Sequence, residues 1–416
     1  MNQLRVGGLV KNAIALIVSG TGSAVIGVVF WGVATHRVSA ATIGRTSAEI
    51  AAMTLLAQLA QLGLGTVLER FLPIAGSKTH DLVLRIYAIC TILALVLSVS
   101  YVALGIGRSF LPQSLTWQIL FVTSVLLWTV FTLQDSVLVG LRATRWVPVE
   151  NIIYSLAKLL LVPVLVLYSA SQGVLLAWLL PVVVLIAIVN WYLFRNRIPK
   201  NESPSLSTEE LPTSMGLIKF AFAQYASLLV IVVSNSIATL IVIGRLGAVA
   251  SAHYYIPSQI AGGATIVIWS IMRSFVVEAT TMPDRLEYFA RVTLRTTFAM
   301  VAPSVLVGFV IAPSLLNVFG RSYAVDGSTL LRMLLLTLPA VAVTSFYSAF
   351  AELDKRLWLF ATRQIASAVI YFTTLLLMIG SRGILATGYA SLVSSGAQAV
   401  FFLPLLVRRY RKAAGS

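Results

Sequence analysis

Residues 83–105, VLRIYAICTILALVLSVSYVALG, contain one charged side chain, Arg85, and it sits near the N-terminal edge. A helix rises 1.5 Å per residue, so a stretch of this length crosses a hydrocarbon core of about 30 Å. The pattern recurs along the chain. Residues 13–34, 46–68, 83–105, 115–139, 149–168, 173–194, 215–243, 254–277, 291–312, 330–351, 358–380 and 384–407 all read as spans. The first lacks a signal-peptide cleavage site and is too long for such a leader, so it is expected to remain as a helix. What lies between the spans is too short for a soluble catalytic domain.

Composition agrees. Of 416 residues 58% are hydrophobic and 11% charged, with a mean hydropathy of +0.93. A water-soluble domain normally carries about 25% charged residues, and a soluble fold of this length could not hide so much apolar surface. Cys90 is the single cysteine, so no internal disulfide can form. His36, His80 and His253 lie far apart, without metal-ligand spacing. No metal and no cofactor are expected.

The formal net charge of +16 would suggest nucleic acid in a soluble protein. Here its placement reads as topology. With the N-terminus inside, only Arg37, Arg45, Arg108, Arg245, Arg321, Arg332 and Arg382 fall in external segments, and Lys158 falls within a span. The other lysines and arginines are cytoplasmic, among them Arg142, Arg145, Arg195 and Arg197. This bias puts both termini in the cytoplasm, and no nucleic-acid partner is expected.

The longest internal polar stretch, RNRIPKNESPSLSTEELPTS (195–214), carries three prolines and falls after the sixth span. It divides the chain into an N-terminal six-helix half (1–194), a cytoplasmic linker (195–214) and a C-terminal six-helix half (215–416). THRVSAATIGR (35–45) after the first span and IGRLGAVASAHYY (243–255) after the seventh are alike: a short external turn with an arginine, small residues, then a new helix. Chance likeness between apolar helices is the competing reading. A parallel repeat suits a transporter with a central cavity between halves. The expected fold is therefore all-α: a polytopic membrane protein with twelve transmembrane helices in two six-helix halves around a central cavity.

LVKNAIAL (9–16), LGLGTVLERFLP (62–73) and LQDSVLVGLRATRWVPVENIIYSLAKLL (133–160) resemble the bacterial polysaccharide translocases. These are the O-antigen or exopolysaccharide flippases of the multidrug/oligosaccharidyl-lipid/polysaccharide exporter superfamily. The resemblance is clearest over residues 9–160. It implies a location in the bacterial inner membrane and movement of a polyprenyl-diphosphate-linked oligosaccharide from the cytoplasmic to the outer leaflet by alternating access. The partners it implies are that lipid-linked glycan, membrane lipids, and glycosyltransferases and a polymerase of the same pathway.

Ionisable groups inside a span are costly unless paired or wet, so each is a candidate. Lys158 lies about 12 Å into the fifth span and Asp135 about 7 Å from the cytoplasmic end of the fourth. Two readings stand side by side: an ion pair fastening an antiparallel hairpin, or a cavity cation that meets diphosphate with Asp135 as gate or protonatable switch. Glu49 is either a coupling carboxylate or an i,i+4 partner of Arg45. In the second span Ser47, Thr54, Gln58, Gln61 and Gly65 share one side; in the seventh, Gln224, Ser227, Ser234 and Asn235 do. Such groups suit sugar hydroxyls or interhelical hydrogen bonds. Arg273 and Arg142, at the cytoplasmic side, either draw in a phosphate or serve topology, Arg273 by snorkelling.

No GxxxxGK[ST] loop is present, so transport would draw on an ion gradient, the membrane potential or removal of product outside. Two competitors remain. One is a cation-coupled small-molecule or drug exporter of the same plan; a major-facilitator signature is missing from ERFLPIAGSKTHD (69–81). The other is a membrane glycan polymerase or ligase, for which the short outer segment 313–329 with Arg321 and Asp326 is thin support. The chain is not expected to be an enzyme.

Overall fold

A computed structural model describes residues 22–23, 25–170, 172–202, 214–354 and 357–414; for 202, 214, 218–233, 235, 283, 357–361 and 411–414 it describes the backbone only. All regular structure among these residues is helical. In chain order the helices are α1 (Val25–Thr35), α2 (Ala40–Gln61), α3 (Leu64–Phe71), α4 (Thr79–Ala103), α5 (Leu115–Gly140), α6 (Trp146–Tyr168), α7 (Gly173–Tyr192), α8 (Ile198–Glu202), α9 (Ser214–Thr281), α10 (Leu286–Asn317), α11 (Arg321–Leu336), α12 (Leu338–Leu353), α13 (Leu357–Arg382) and α14 (Leu385–Ala414).

Among the described residues, nine helical stretches are long and apolar enough to cross a membrane, and the bent pair of α2 with α3 makes a tenth. The first span is represented by α1. The seventh and eighth are the two parts of α9, which Gly247 divides at φ 83°. The described residues of each of the twelve expected spans thus fall on helix apart from short breaks such as that at Leu62–Gly63. The protein is a multi-pass helical membrane protein.

α4 shows how the sequence chooses its faces. Val83, Ile86, Cys90, Ala94, Ser98 and Tyr101 are buried at three- and four-residue steps, one stripe of a helix. Ile89, Ile92, Val96 and Val99 on the opposite side are exposed, as lipid-facing residues are. Ser98, in the buried stripe, returns its hydroxyl to Ala94 O at 2.6 Å, which removes the cost of burying it.

Contacts group the described residues into two units. One comprises Arg37–Ala248; the other joins the residues up to His36 to those from Val249 onward. These boundaries differ from a division at the 195–214 linker.

In the first unit, Ser39 caps α2 by accepting from Thr42 N at 3.2 Å. The expected continuous second span is broken: Leu62 (φ 48°) and Gly63 (φ 73°) turn the chain, and α3 leaves α2 at 56°. Gly65 therefore does not continue the α2 stripe. It packs instead against α5, where a Cβ would stand 2.9 Å from Ser136 Oγ. At Gly140 a Cβ would lie 2.5 Å from the Leu68 carbonyl oxygen. Both glycines thus allow α3 to press on the end of α5. That helix closes with Arg142 at φ 55° and bonds from Ala143 N to Leu138 O (2.8 Å) and Arg142 N to Val139 O (3.0 Å), a left-handed C-terminal motif. α7 passes through a π-helical turn, Leu193–Arg197, into α8. There Asn201 Nδ2 donates to Leu72 O and Thr79 Oγ1, both at 2.8 Å.

In the second unit, Trp31 of α1 meets Tyr255 of α9 edge-on at 5.1 Å, and Phe275, Phe346 and Phe350 interlock between α9 and α12. α13 and α14 share a polar seam. Arg363 Nη1 donates to Gln398 Oε1 at 3.2 Å, Gln398 Nε2 to Ser367 Oγ at 2.8 Å, and Ser394 Oγ to Ser367 O at 2.9 Å. His253 Nδ1 lies 3.1 Å from Asp326 Oδ2.

Candidate functional site

The densest polar cluster described in the first unit is built from residues far apart in sequence. Gln134, Asp135 and Ser136 occupy three successive positions near the end of α5, and point in different directions because each residue turns the helix by 100°. Gln134 is fully buried and Glu150, one turn into α6, is 2% exposed. Gln134 Nε2 donates to Glu150 Oε1. Asn190, on α7, donates to Gln134 Oε1 at 2.8 Å and to Ile186 O at 2.9 Å. Asn190, Gln134 and Glu150 thereby form a relay of amides ending on a carboxylate, across three helices.

Asp135 faces the adjacent space. It is hydrogen-bonded by Asn151, which also donates to Val147 O at 2.9 Å. Ser136 Oγ donates to Glu69 Oε1 of α3 at 2.9 Å, and the α3–α5 approach makes that reach possible. Tyr87 of α4 lies within electrostatic range of Glu150 and Asp135. One turn earlier on α5, Thr132 accepts from Gln61 Nε2 at 2.6 Å. Buried carboxylates are costly to desolvate, and hydrogen bonds from amides recover part of that cost.

Lys158 occupies a different environment on the same helix. It is 5% exposed, and its Nζ stands 3.8 Å from the Trp178 ring centroid and 4.8 Å from that of Tyr154. Trp128 and Phe131 complete an aromatic cluster around these rings. Ring faces carry negative potential, so they stabilise an ammonium laid against them.

The Lys158–Asp135 ion pair, one of the two readings of the sequence, does not form. The ion pairs among the described residues are Arg85–Asp81, His253–Asp326, Arg291–Glu287 and Arg409–Asp354. The reason is packing. α6 lies mainly on α7, while α5 lies on α2, α3, α4 and α7, so α5 and α6, though consecutive, are not close partners. Arg45 and Glu49 likewise form no ion pair: Arg45 is exposed, whereas Glu49 is 4% exposed with Oε2 lacking a hydrogen-bond partner.

Of the remaining candidates, Gln58 is half-buried on α2, Arg142 is exposed at the end of α5, and Arg273 is exposed on α9 in the other unit. Gln224 and Asn235 fall on α9, and their side chains lie outside the described residues. The structure therefore joins Asp135 to a cluster that holds none of the candidate cations. Glu150 falls at the edge of the expected fifth span (149–168), where an acid carries no sign of burial in the sequence. Gln134 and Asn190 carry no charge and gave little signal in sequence.

The chain resembles several solved membrane transporters over nearly its whole length. A Vibrio cholerae MATE transporter is 15% identical, with a TM-score of 0.64 and 98% of each chain covered. An inward-facing multidrug resistance MATE family transporter of the MOP superfamily is also 15% identical, with a TM-score of 0.65, over 97% of this chain and 99% of that one. The MATE multidrug transporter DinF-BH gives 15% identity and a TM-score of 0.66 over 96% and 95%. At this identity the likeness establishes the fold. No curated protein matches the chain. The polysaccharide biosynthesis protein family matches residues 9–277, well over half the chain, and this protein is a member of that family.

Proposed function

We propose that this protein flips a polyprenyl-diphosphate-linked oligosaccharide from the cytoplasmic to the outer leaflet during cell-surface polysaccharide biosynthesis. The observation that supports it most is membership of a polysaccharide biosynthesis family on a fold shared with MATE exporters. A biosynthetic role on an exporter fold points to cargo that is an assembly intermediate. In this reading two six-helix halves, divided near 195–214, work by alternating access around a central cavity, in the bacterial inner membrane with both termini cytoplasmic. Glycosyltransferases and a polymerase of the pathway would supply and consume the cargo. The chain itself makes and breaks no covalent bond.

Substrate contact belongs to the polar and cationic groups of the spans: Arg142 and Arg273 toward the diphosphate, Gln58, Gln61, Gln224 and Asn235 toward sugar hydroxyls. Lys158 meets cargo only if Trp178 and Tyr154 release it, since its ammonium lies on their faces. The second reading, a cation-coupled drug exporter, draws on the same fold, since DinF-BH is a multidrug transporter.

A leaflet-specific assay tests the choice. The purified chain is reconstituted in vesicles with a fluorescent polyprenyl-diphosphate sugar, and outer-leaflet label is quenched over time. Protein-dependent transbilayer movement of the lipid-linked sugar supports the flippase. Movement of cationic dyes without the lipid-linked sugar supports the exporter instead.

A further inference from the structure

The exposed residues of α6 and α7 run in apolar stripes. On α6, Trp146, Val149, Ile153, Leu156 and Leu160 are exposed at steps of three and four, one face of a helix. On α7, Val184, Ile188 and Trp191 are exposed at the same steps, and Arg195, also exposed, continues them. In a membrane helix such stripes meet acyl chains. The two helices pack on each other, and their stripes come together at one membrane face. There the rings of Trp146, which opens α6, and Tyr192, which closes α7, lie 4.9 Å apart.

The π turn brings Arg197 to the same place. Residues five apart diverge by about 140° in an α-helix, whereas a π turn bonds residues five apart, here Ile198 N to Leu193 O. Tyr192 and Arg197 therefore fall on one side. Arg197 Nε donates to Tyr192 Oη at 2.7 Å, and its guanidinium carbon lies 5.6 Å from the ring centroid. With Nε so used, both Nη groups are left for another acceptor. Arg145 precedes Trp146 and is exposed. The ion pairs among the described residues include none of Arg145, Arg195 and Arg197. Tryptophans at a membrane face need no ligand. A guanidinium held by one edge on a tyrosine, with two more arginines at the same face and no acid paired to any of them, calls for an anion.

We propose that the junction of α6 and α7 binds an anionic phospholipid of the membrane, its phosphate held by Arg197 and flanked by Arg145 and Arg195, its acyl chains laid along the two apolar stripes. The occupant is a lipid because the cations stand at the ends of apolar faces rather than over a polar surface. It is anionic because three arginines meet there without an acid partner. The planar fork of a guanidinium matches phosphate oxygens, and basic groups between membrane helices at a membrane face recognise anionic headgroups. This end lies on the side that the charge bias reads as cytoplasmic. A lipid bound there ties the start of α6 to the π turn, and through it to α8. The proposal does not depend on the cargo.

The test uses the full chain, delipidated in a neutral detergent, without any lipid-linked sugar. Thermal unfolding is followed during separate titrations with phosphatidylglycerol, phosphatidylcholine and polyprenyl monophosphate. Saturable stabilisation by phosphatidylglycerol is expected, with phosphatidylcholine inert. Arg197→Gln should raise the phosphatidylglycerol midpoint about fivefold, and the double variant Arg145→Gln with Arg195→Gln should raise it further. Tyr192→Phe, which keeps the ring contact and removes only the anchor of Arg197, should raise it less. Arg108→Gln, an exposed cation beyond the C-terminal end of α4, should leave it unchanged. Because Arg145 and Arg195 are exposed, their replacement tests the site even where Arg197→Gln fails to fold. Equal stabilisation by phosphatidylglycerol and phosphatidylcholine, or a preference that survives in the arginine variants, overturns the proposal. So does a response to polyprenyl monophosphate alone, which would assign this face to cargo. No transport is measured, so the result is independent of the leaflet assay.

Discussion

The first half of α6 buries two opposite charges, Glu150 near its start and Lys158 at its middle, and treats them differently. Lys158 rests on ring faces, which attract a cation from a broad range of directions. Glu150, two turns earlier, depends on directed donors, and the Gln134 amide of α5, itself held by Asn190 of α7, reaches one of its oxygens. An ammonium can be accommodated by aromatic surface alone, whereas a carboxylate oxygen needs a hydrogen to point at it. The aromatic site is accordingly a packed cluster in which the charge has been absorbed. Around Glu150 acceptor capacity is left over, Glu150 Oε2 and Asp135 Oδ1 being buried without a hydrogen-bond partner.

Substitutions can break or sharpen this contrast. The largest effect is expected from Glu150→Ala, which strips Gln134 of its acceptor and leaves a void: a loss of about 3 kcal/mol in unfolding measurements. Lys158→Ala follows, at about 2 kcal/mol from the lost ring contacts and packing, with loss of glycan export in a complementation assay. Lys158→Met separates the causes. It restores packing without charge, so recovered stability with export still absent assigns the ammonium a part in transport, and recovery of both makes the lysine structural. Next comes the charge exchange Asp135→Lys with Lys158→Asp. As the two do not pair, their effects on stability should add to within about 0.5 kcal/mol; a larger coupling in a double-mutant cycle would mean that the two sites communicate. The smallest effect belongs to Arg85→Ala. Its i,i+4 bridge to Asp81 spans 2.7 Å with both side chains well exposed, and its removal should shift stability by about 0.4 kcal/mol or less.

The spans were legible because a bilayer demands length and apolarity, and both can be read residue by residue. The break after α2 was not. Leu62 adopts a left-handed conformation that nothing in its side chain favours, and Gly63 alone does not distinguish a bend from a helix glycine. Asp135 and Lys158 were legible as charges in apolar surroundings, but their separation was not. Chain order suggested that α5 and α6 face each other, and tertiary packing put α7 against both. The Gln134–Asn190 contact joins uncharged residues across 56 positions, and no local pattern announces such a meeting.

The π turn at Leu193–Arg197 widens the helix by one residue per bond, so everything beyond it is rotated relative to a regular continuation. Asn201 reaches the Leu72 carbonyl and the Thr79 hydroxyl only in that rotated frame. The clasp is therefore written in residue count as much as in residue identity. Replacing side chains one at a time between 193 and 197 would leave it standing, while excising any one of them would swing Asn201 by about 100° and undo it.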